Sequence, residues 1–466
     1  MTAVLSPLEA ADRFLASVAK PACLLIAISG GSDSTGLLLA LSQSLGRIGR
    51  SDILLIAATI DHALRPASAD EARAVGDLCQ QLGIAHIIRR WDGEKPKSGL
   101  SMAAREARYR LLGEIAAEVS ATAIVTGHTS DDQFETIAMR SARSDRDDDA
   151  GLSGMADAVL VGRRHWVLRP LLQCRRAEIR SFLSQQQTGW IDDPSNDDPS
   201  YERARTRQRL AATDGTLYAR AGQAAEGWRY GKTDTDGDEQ ALVRGQGPLL
   251  PATGAGRRQA LSQAAAQLLQ NHATDHAATV IQIIPAGLAA DPAILRHALA
   301  HLTAVIGGRA HPPGRDSMDR VLSFVLTGLP GRVTAGRVMF DRRRDGLFLM
   351  REHRDLPRIE LEPGAAGLWD GRIWLQNTLS ERIIVAAADA GEPSPVFAVL
   401  PSGIASRATR ILPRVEMSRT GADVSARVSQ QPALGPYDRF LPRFDLALAD
   451  QIAALLGRAP YPAPPC

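Results

Sequence analysis

Four groups of residues have the types and spacing for chemistry on a phosphorylated substrate. The first is Ser29-Gly30-Gly31-Ser32-Asp33-Ser34. Two glycines let the backbone approach a ligand closely and take positive φ. Three hydroxyls add donors, and a helix beginning near Ser32 would turn unpaired N–H groups and its positive dipole end toward an anion. An aspartate among phosphate ligands is explained when a cation bridges them, and Mg2+ suits that place. The second is Gly127–Thr136, GHTSDDQFET, where His128 precedes Asp132 and Glu135 on the first turn of a helix. Carboxylates spaced i, i+3 there either cap the helix or hold Mg2+ or a substrate amine. The third is Ser101–Arg110, SMAAREARYR, which puts Arg105, Arg108 and Tyr109 at helical spacing on what otherwise reads as a solvated helix. The fourth is the arginine-rich stretch after Asp192–Ser200, with Arg203, Arg205 and Arg207.

These groups need a frame, and the first 200 residues supply an alternating one. Ala22–Ser29 reads as a buried strand, 35–45 as a helix, and Ile53–Ile60 as a second strand ending at Asp61-His62. A helix over 69–82, a strand over 85–89 and a long helix over 101–119 follow. A strand over 123–126 and a helix over 131–143 come next. Strands alternating with helices predict an α/β fold with a doubly wound parallel sheet, and a carboxylate pair just beyond a strand end lies where such sheets bind ligands. Trp166–Leu172 reads as an extended segment, 175–187 as a helix and Asp145–Asp149 as an exposed acidic loop. Beyond 213 the composition loosens into Gly-, Pro- and Asp-rich links. Helical patterning returns at 259–269 and 293–305, and Gly331–Met350 alternates like strands around an Arg-Asp-Gly turn. The expected division is 1–212, a catalytic nucleotide-binding domain; 213–356, a helical and small α+β region; and 357–466, a β-rich region whose Pro-rich tail is expected to be disordered.

Composition narrows the field. A chain of 466 residues exceeds one ordinary core. Its 44% hydrophobic and 23% charged residues are those of a soluble protein. No apolar run approaches the roughly 20 residues that span a bilayer, and Met1–Lys20 carries Glu9 and Asp12 without an apolar segment. A cytoplasmic protein without a membrane partner is expected. The net charge of +2 does not suit a nucleic-acid coat, but a local basic face is enough for RNA. Cys23, Cys79, Cys174 and Cys466 are scattered, which argues against a zinc or iron–sulfur site. There is no GxxxxGK[ST] and no GxGxxG after the first strand, which argues against a P-loop NTPase or a Rossmann dehydrogenase.

The hexapeptide at 29–34 resembles the phosphate loop of the PP-loop ATP pyrophosphatase superfamily, whose fold is adenine nucleotide α-hydrolase-like and whose members transfer AMP and release pyrophosphate. The order SGGSDS, TIDHALRPAS (59–68), AAREARY (103–109), GHTSDDQFET, RPLL (169–172), DDPSN and an arginine-rich helix is similar to the tRNA(Ile)-lysidine synthetase family over about residues 20–210. Gly331–Arg351 resembles that family's small C-terminal domain. The resemblance implies adenylation of the C2 carbonyl of the first anticodon cytidine in a CAU-anticodon tRNA(Ile), then attack by the ε-amine of free L-lysine. It implies ATP held by Ser29, Gly30, Gly31, Ser32, Asp33 and Ser34, with Mg2+ at Asp33 and Asp132. Asp132 and Glu135 would serve the metal and the lysine amine. His128, Arg105 and Arg108 would sit around ATP or the adenylated base, and Arg203, Arg205 and Arg207 on tRNA phosphate. A homodimer is compatible with the sequence, which does not specify an oligomeric state. Three departures from the family pattern stand out: Thr129 where a second histidine is common, SARSDRDDDAGLSGM (141–155) in place of a short link with an Arg-Gly pair, and Ala204 in place of an asparagine. The rival readings are a PP-loop tRNA thiolase, which needs catalytic cysteines; a small-molecule amidating ligase, which lacks the AREARY and arginine-rich stretches; and an inactive RNA-binding adaptor, for which the intact SGGSDS and DDQFET have no use.

Overall fold

A computed structural model of the chain describes residues 5–64, 68–96, 98–142, 153–192, 202–212, 254–389 and 391–466. The expected acidic loop at 145–149, most of the turn cluster at 192–200 and the links at 213–253 lie outside these. The chain divides into two compact units, Met1–Ala260 with Pro442–Phe444 and Ala463–Cys466, and Leu261–Leu441 with Asp445–Pro462.

The first unit alternates as its apolar pattern requires: α1 (Pro7–Ser17), β1 (Ala22–Ala27), α2 (Ser32–Ile48), β2 (Ile53–Asp61), α3 (Ser68–Gln81), β3 (Ala85–Arg90), α4 (Leu100–Glu118), β4 (Ala123–Thr126), α5 (Ser130–Ala142), β5 (Ala158–Val161), β6 (His165–Leu168), α6 (Arg176–Gln185) and α7 (Glu202–Ala212). Within this unit the strands lie in the order β5-β6-β4-β1-β2-β3. The β1–β2, β2–β3, β1–β4 and β4–β6 pairs are parallel. Leu24, Leu25 and Ile26 of β1 are fully buried, as a central parallel strand must be. β5 pairs antiparallel with β6 and adds an antiparallel strand to the otherwise parallel run. Strand order reverses at β1, between β2 and β4, and that switch point is where open α/β sheets take ligands.

The second unit begins within α8 (Gly254–His272) and holds a five-stranded sheet of β7 (Ala273–His276), β8 (Val280–Ile283), β9 (Gly331–Ala335), β10 (Val338–Arg343) and β11 (Gly346–Arg351), of which the last three form an antiparallel meander. The expected boundary at 356/357 is not a division between units. Phe348 and Met350 of β11 share one buried cluster with Phe397, Ile404 and Ile411, so the two stretches pack as one body. The tail also departs from expectation. The Pro465 carbonyl accepts from the Ala19 N–H at 2.9 Å, and Arg443 donates both to Asp157, at 2.8 Å, and to the Cys466 carbonyl. Backbone pairing and one arginine therefore hold a Pro-rich end that composition alone marks as loose.

Candidate active site

The Ser29–Ser34 loop leaves the C-terminal end of β1. Gly30 takes φ +84°, a left-handed conformation that favours glycine, and its carbonyl accepts from the Ile191 N–H at 2.9 Å. Ser34 organises the loop from within: its Oγ accepts from the Ser29 N–H at 3.1 Å and donates to the Gly31 carbonyl at 3.1 Å. Gly31 is the N-cap of α2 and offers no side-chain cap, which leaves the first turn's dipole end facing the loop.

The turn after β4 meets this loop in direct backbone contact. A Cβ on Gly127 would lie 2.6 Å from the Asp33 carbonyl oxygen, so only glycine permits the approach. His128 follows, its Nδ1 sharing a 2.9 Å hydrogen bond with Thr126 Oγ1. Burial, then the charge of Arg169, push the imidazole down to about 3, so it is neutral at physiological pH. Thr129 caps α5: its N–H and Oγ1 donate to Asp132 Oδ2 at 2.8 and 3.0 Å. Asp132 thus both caps the helix and serves the site, because its other oxygen turns toward cations.

Three carboxylates meet here: Asp33 from the phosphate loop, and Asp132 and Glu135 from α5. Arg176 Nε donates to Asp33 Oδ2 at 2.9 Å, while its other nitrogens lie 3.6 Å from Asp132 and 3.8 Å from Glu135. Arg203 bonds Asp132 at 3.0 Å and Glu135 at 2.7 Å, and Arg207 bonds Glu135 at 2.8 Å. The two aspartates respond in opposite directions. Burial outweighs Arg176 at Asp33 and raises its carboxyl above the ordinary range. At Asp132 burial also disfavours charge, but Arg203 and Arg176, with the Thr129 N–H, hold the carboxyl below that range. One guanidinium reaches both Asp33 and Asp132, and carboxylate oxygens are the donor type that a hard divalent ion takes, one or two of them beside phosphate oxygens.

The remaining expected residues surround this centre. Arg105 lies over the Tyr109 ring at 5.0 Å, and its charge is felt at His128. Arg108 contacts His62 Nε2, at the end of β2, at 3.4 Å. Arg205, between the two inward arginines of α7, is exposed. Arg176 and Arg180, spaced i, i+4 on α6, are not among the residues that the sequence singles out. Arg180 reaches Ser32 Oγ at 3.4 Å and Asp192 at 3.0 Å. Cys23, Cys79, Cys174 and Cys466 are thiols rather than disulfides, and burial pushes Cys79 up to about 11 and Cys174 up to about 12.

A strand–loop–helix phosphate cradle at the switch point of a parallel sheet, with carboxylates converging from the next turn, defines the PP-loop class. Residues 7–213 match a family described as the PP-loop domain. Across nearly its full length the chain is similar to proteins named tRNA(Ile)-lysidine synthase. That of Rhizobium meliloti is 42% identical, covering 98% of this chain and 97% of its own. That of Mesorhizobium japonicum is 38% identical over 94% and 93%, and that of Brucella ovis 35% identical over 98% of each. The chain belongs to the tRNA(Ile)-lysidine synthase family.

Proposed function

We propose that the protein adenylates the first anticodon cytidine of a CAU-anticodon tRNA(Ile) and joins free L-lysine to it. The observation that carries this reading is the meeting of the Ser29–Ser34 cradle with Asp33, Asp132 and Glu135 in one cationic-lined cluster. In the first step the cytidine C2 carbonyl oxygen attacks the α-phosphorus of ATP and pyrophosphate leaves. The α2 N-terminus and the loop N–H groups favour the departing negative charge. In the second, the ε-amine of lysine attacks C2 and the C2–O bond breaks, releasing AMP. Free lysine carries an ammonium of pKa ~10.4, so a group must bind it and take its proton. Asp132, kept ionised by its arginines, suits that task, with Glu135 beside it. The neutral ring of His128 adds no positive charge against the incoming ammonium.

Asp33 and Asp132 would hold Mg2+, which supplies charge neutralisation at the phosphates. Arg105 and Arg108 line the nucleotide side, and Arg205 faces tRNA phosphate. Solution in the cytoplasm fits this work, and no described helix is long and apolar enough to cross a membrane. The test is ATP–pyrophosphate exchange with purified protein and individual tRNAs. Exchange that needs the CAU-anticodon tRNA(Ile) but not lysine supports the two-step order. Exchange stimulated equally by every tRNA, or by none, contradicts it.

A further inference from the structure

Three carboxylates face three guanidiniums in the site, and the guanidiniums are not equivalent. Arg176 reaches Asp33, Asp132 and Glu135, and its side chain is 20% exposed, against 40% for Arg203 and 31% for Arg207. Its backbone is also fixed: the Arg176 N–H donates to Asp131 Oδ2 at 2.8 Å, and Ser130 donates through N and Oγ to the Cys174 carbonyl, both at 3.0 Å. The start of α6 is therefore tied to the start of α5. One turn on, a Cβ at Gly36 of α2 would lie 2.3 Å from Ile179 Cγ2, so α6 also sits tightly on the helix that follows the phosphate loop.

We infer that Arg176 is a permanent positioning residue of the reaction, whereas Arg203 and Arg207 stand where incoming cations bind. Arg176 joins the phosphate-loop carboxylate to the α5 carboxylates across 143 positions of sequence. It cancels one of their three charges. With Arg203 and Arg207 displaced, two negative charges remain, which match one divalent cation. Without Arg176 the set would carry three, attract that cation too strongly and lose the spacing that directs it to the phosphates. This inference rests on the adenylating reading above.

The test compares wild-type, Arg176→Gln and Arg176→Lys full-length protein at pH 8. Mn2+ binding is measured by electron paramagnetic resonance in the presence of a non-cleavable ATP analogue, alongside AMP formation with tRNA and lysine. Arg176→Gln should bind Mn2+ at least fivefold more tightly while its kcat falls at least 30-fold. Arg176→Lys keeps the charge but not the three-way fork, so its Mn2+ affinity should stay within twofold of wild type while kcat falls about tenfold. A purely structural arginine would not combine tighter metal binding with slower turnover. If Arg176→Gln fails to fold, the lysine variant decides alone: wild-type kcat, or Mn2+ affinity changed more than twofold, overturns the inference. Unchanged or weaker Mn2+ binding in a folded Arg176→Gln protein overturns it too. A wild-type protein that makes no AMP with tRNA would instead remove the functional reading, which the metal-binding arm does not test.

Discussion

Arg207 donates from Nε to Glu135 Oε1 at 2.8 Å, so a residue of the arginine-rich helix reaches the carboxylate cluster. Arginines at 203 and 207 lie one helical turn apart and face the same way, while Arg205 between them is exposed. Arg205→Ala should weaken tRNA binding whatever the anticodon and lower the slope of log K against log salt by about one. The Arg203→Ala/Arg207→Ala variant should leave that slope unchanged and lower the KM for lysine several-fold, because two competing cations are gone. Salt titrations of tRNA binding, paired with lysine saturation curves, distinguish the two. A double variant that loses salt slope and keeps its lysine KM would place those arginines on phosphate.

Asp33→Asn keeps the shape of the side chain and removes a charge. It should cost about 100-fold or more in AMP formation, the scale on which single charge-stabilising groups act, with no loss of folded protein by circular dichroism. Mg2+ titration of residual activity should show a midpoint shifted to higher Mg2+ concentration. Full activity with an unchanged Mg2+ midpoint would exclude Asp33 as a metal ligand.

Stability should depend on pH through two histidines. His128 is pushed to about 3 and His62 to about 4 in the folded protein, in both cases chiefly by burial, against an ordinary value of 6.5. Between these values the unfolded chain binds more protons, so stability is complete above about 6.5 and declines as pH falls. The full effect is about 1.4 kcal/mol per histidine per pH unit, and partial exposure of both rings reduces it to about half. Urea unfolding at pH 7.5 and 5.5 should show the loss, and His128→Gln with His62→Gln should flatten it. An equal loss in the double variant would assign the pH dependence to other groups.

Replacing Cys23, Cys79, Cys174 and Cys466 by Ser or Ala, one at a time, should leave turnover within about twofold. Burial keeps the Cys79 and Cys174 thiols protonated, which makes them poor nucleophiles. Loss of turnover in a folded Cys174→Ala protein would revive sulfur-transfer chemistry.

The frame of the first unit was legible because buried parallel strands read as short apolar runs: β4 was expected over 123–126 and lies there. The antiparallel β5 was missed, since AVLV followed by Gly-Arg-Arg offers only a four-residue run. α1 starts on a full capping box between Ser6 and Glu9, a local signal that the sequence does carry. The phosphate loop and the acidic pair were visible as local motifs. The convergence of Arg176 on them was not, because its partners lie on other elements far away in sequence and an i, i+4 arginine pair looks like any solvated face. The inward turn of Arg203 and Arg207 was hidden for the same reason: arginine spacing reports a shared side of a helix but not which side is buried.

The most direct test of the central claim is the product itself. Purified protein is incubated with CAU-anticodon tRNA(Ile), ATP, Mg2+ and isotopically labelled L-lysine; the tRNA is digested to nucleosides and analysed by mass spectrometry. The account predicts that the first anticodon cytidine gains one lysine through its C2 position with loss of water, with one AMP and one pyrophosphate formed per modified tRNA. An unmodified cytidine, label at another position, or ADP and phosphate in place of AMP and pyrophosphate would contradict it.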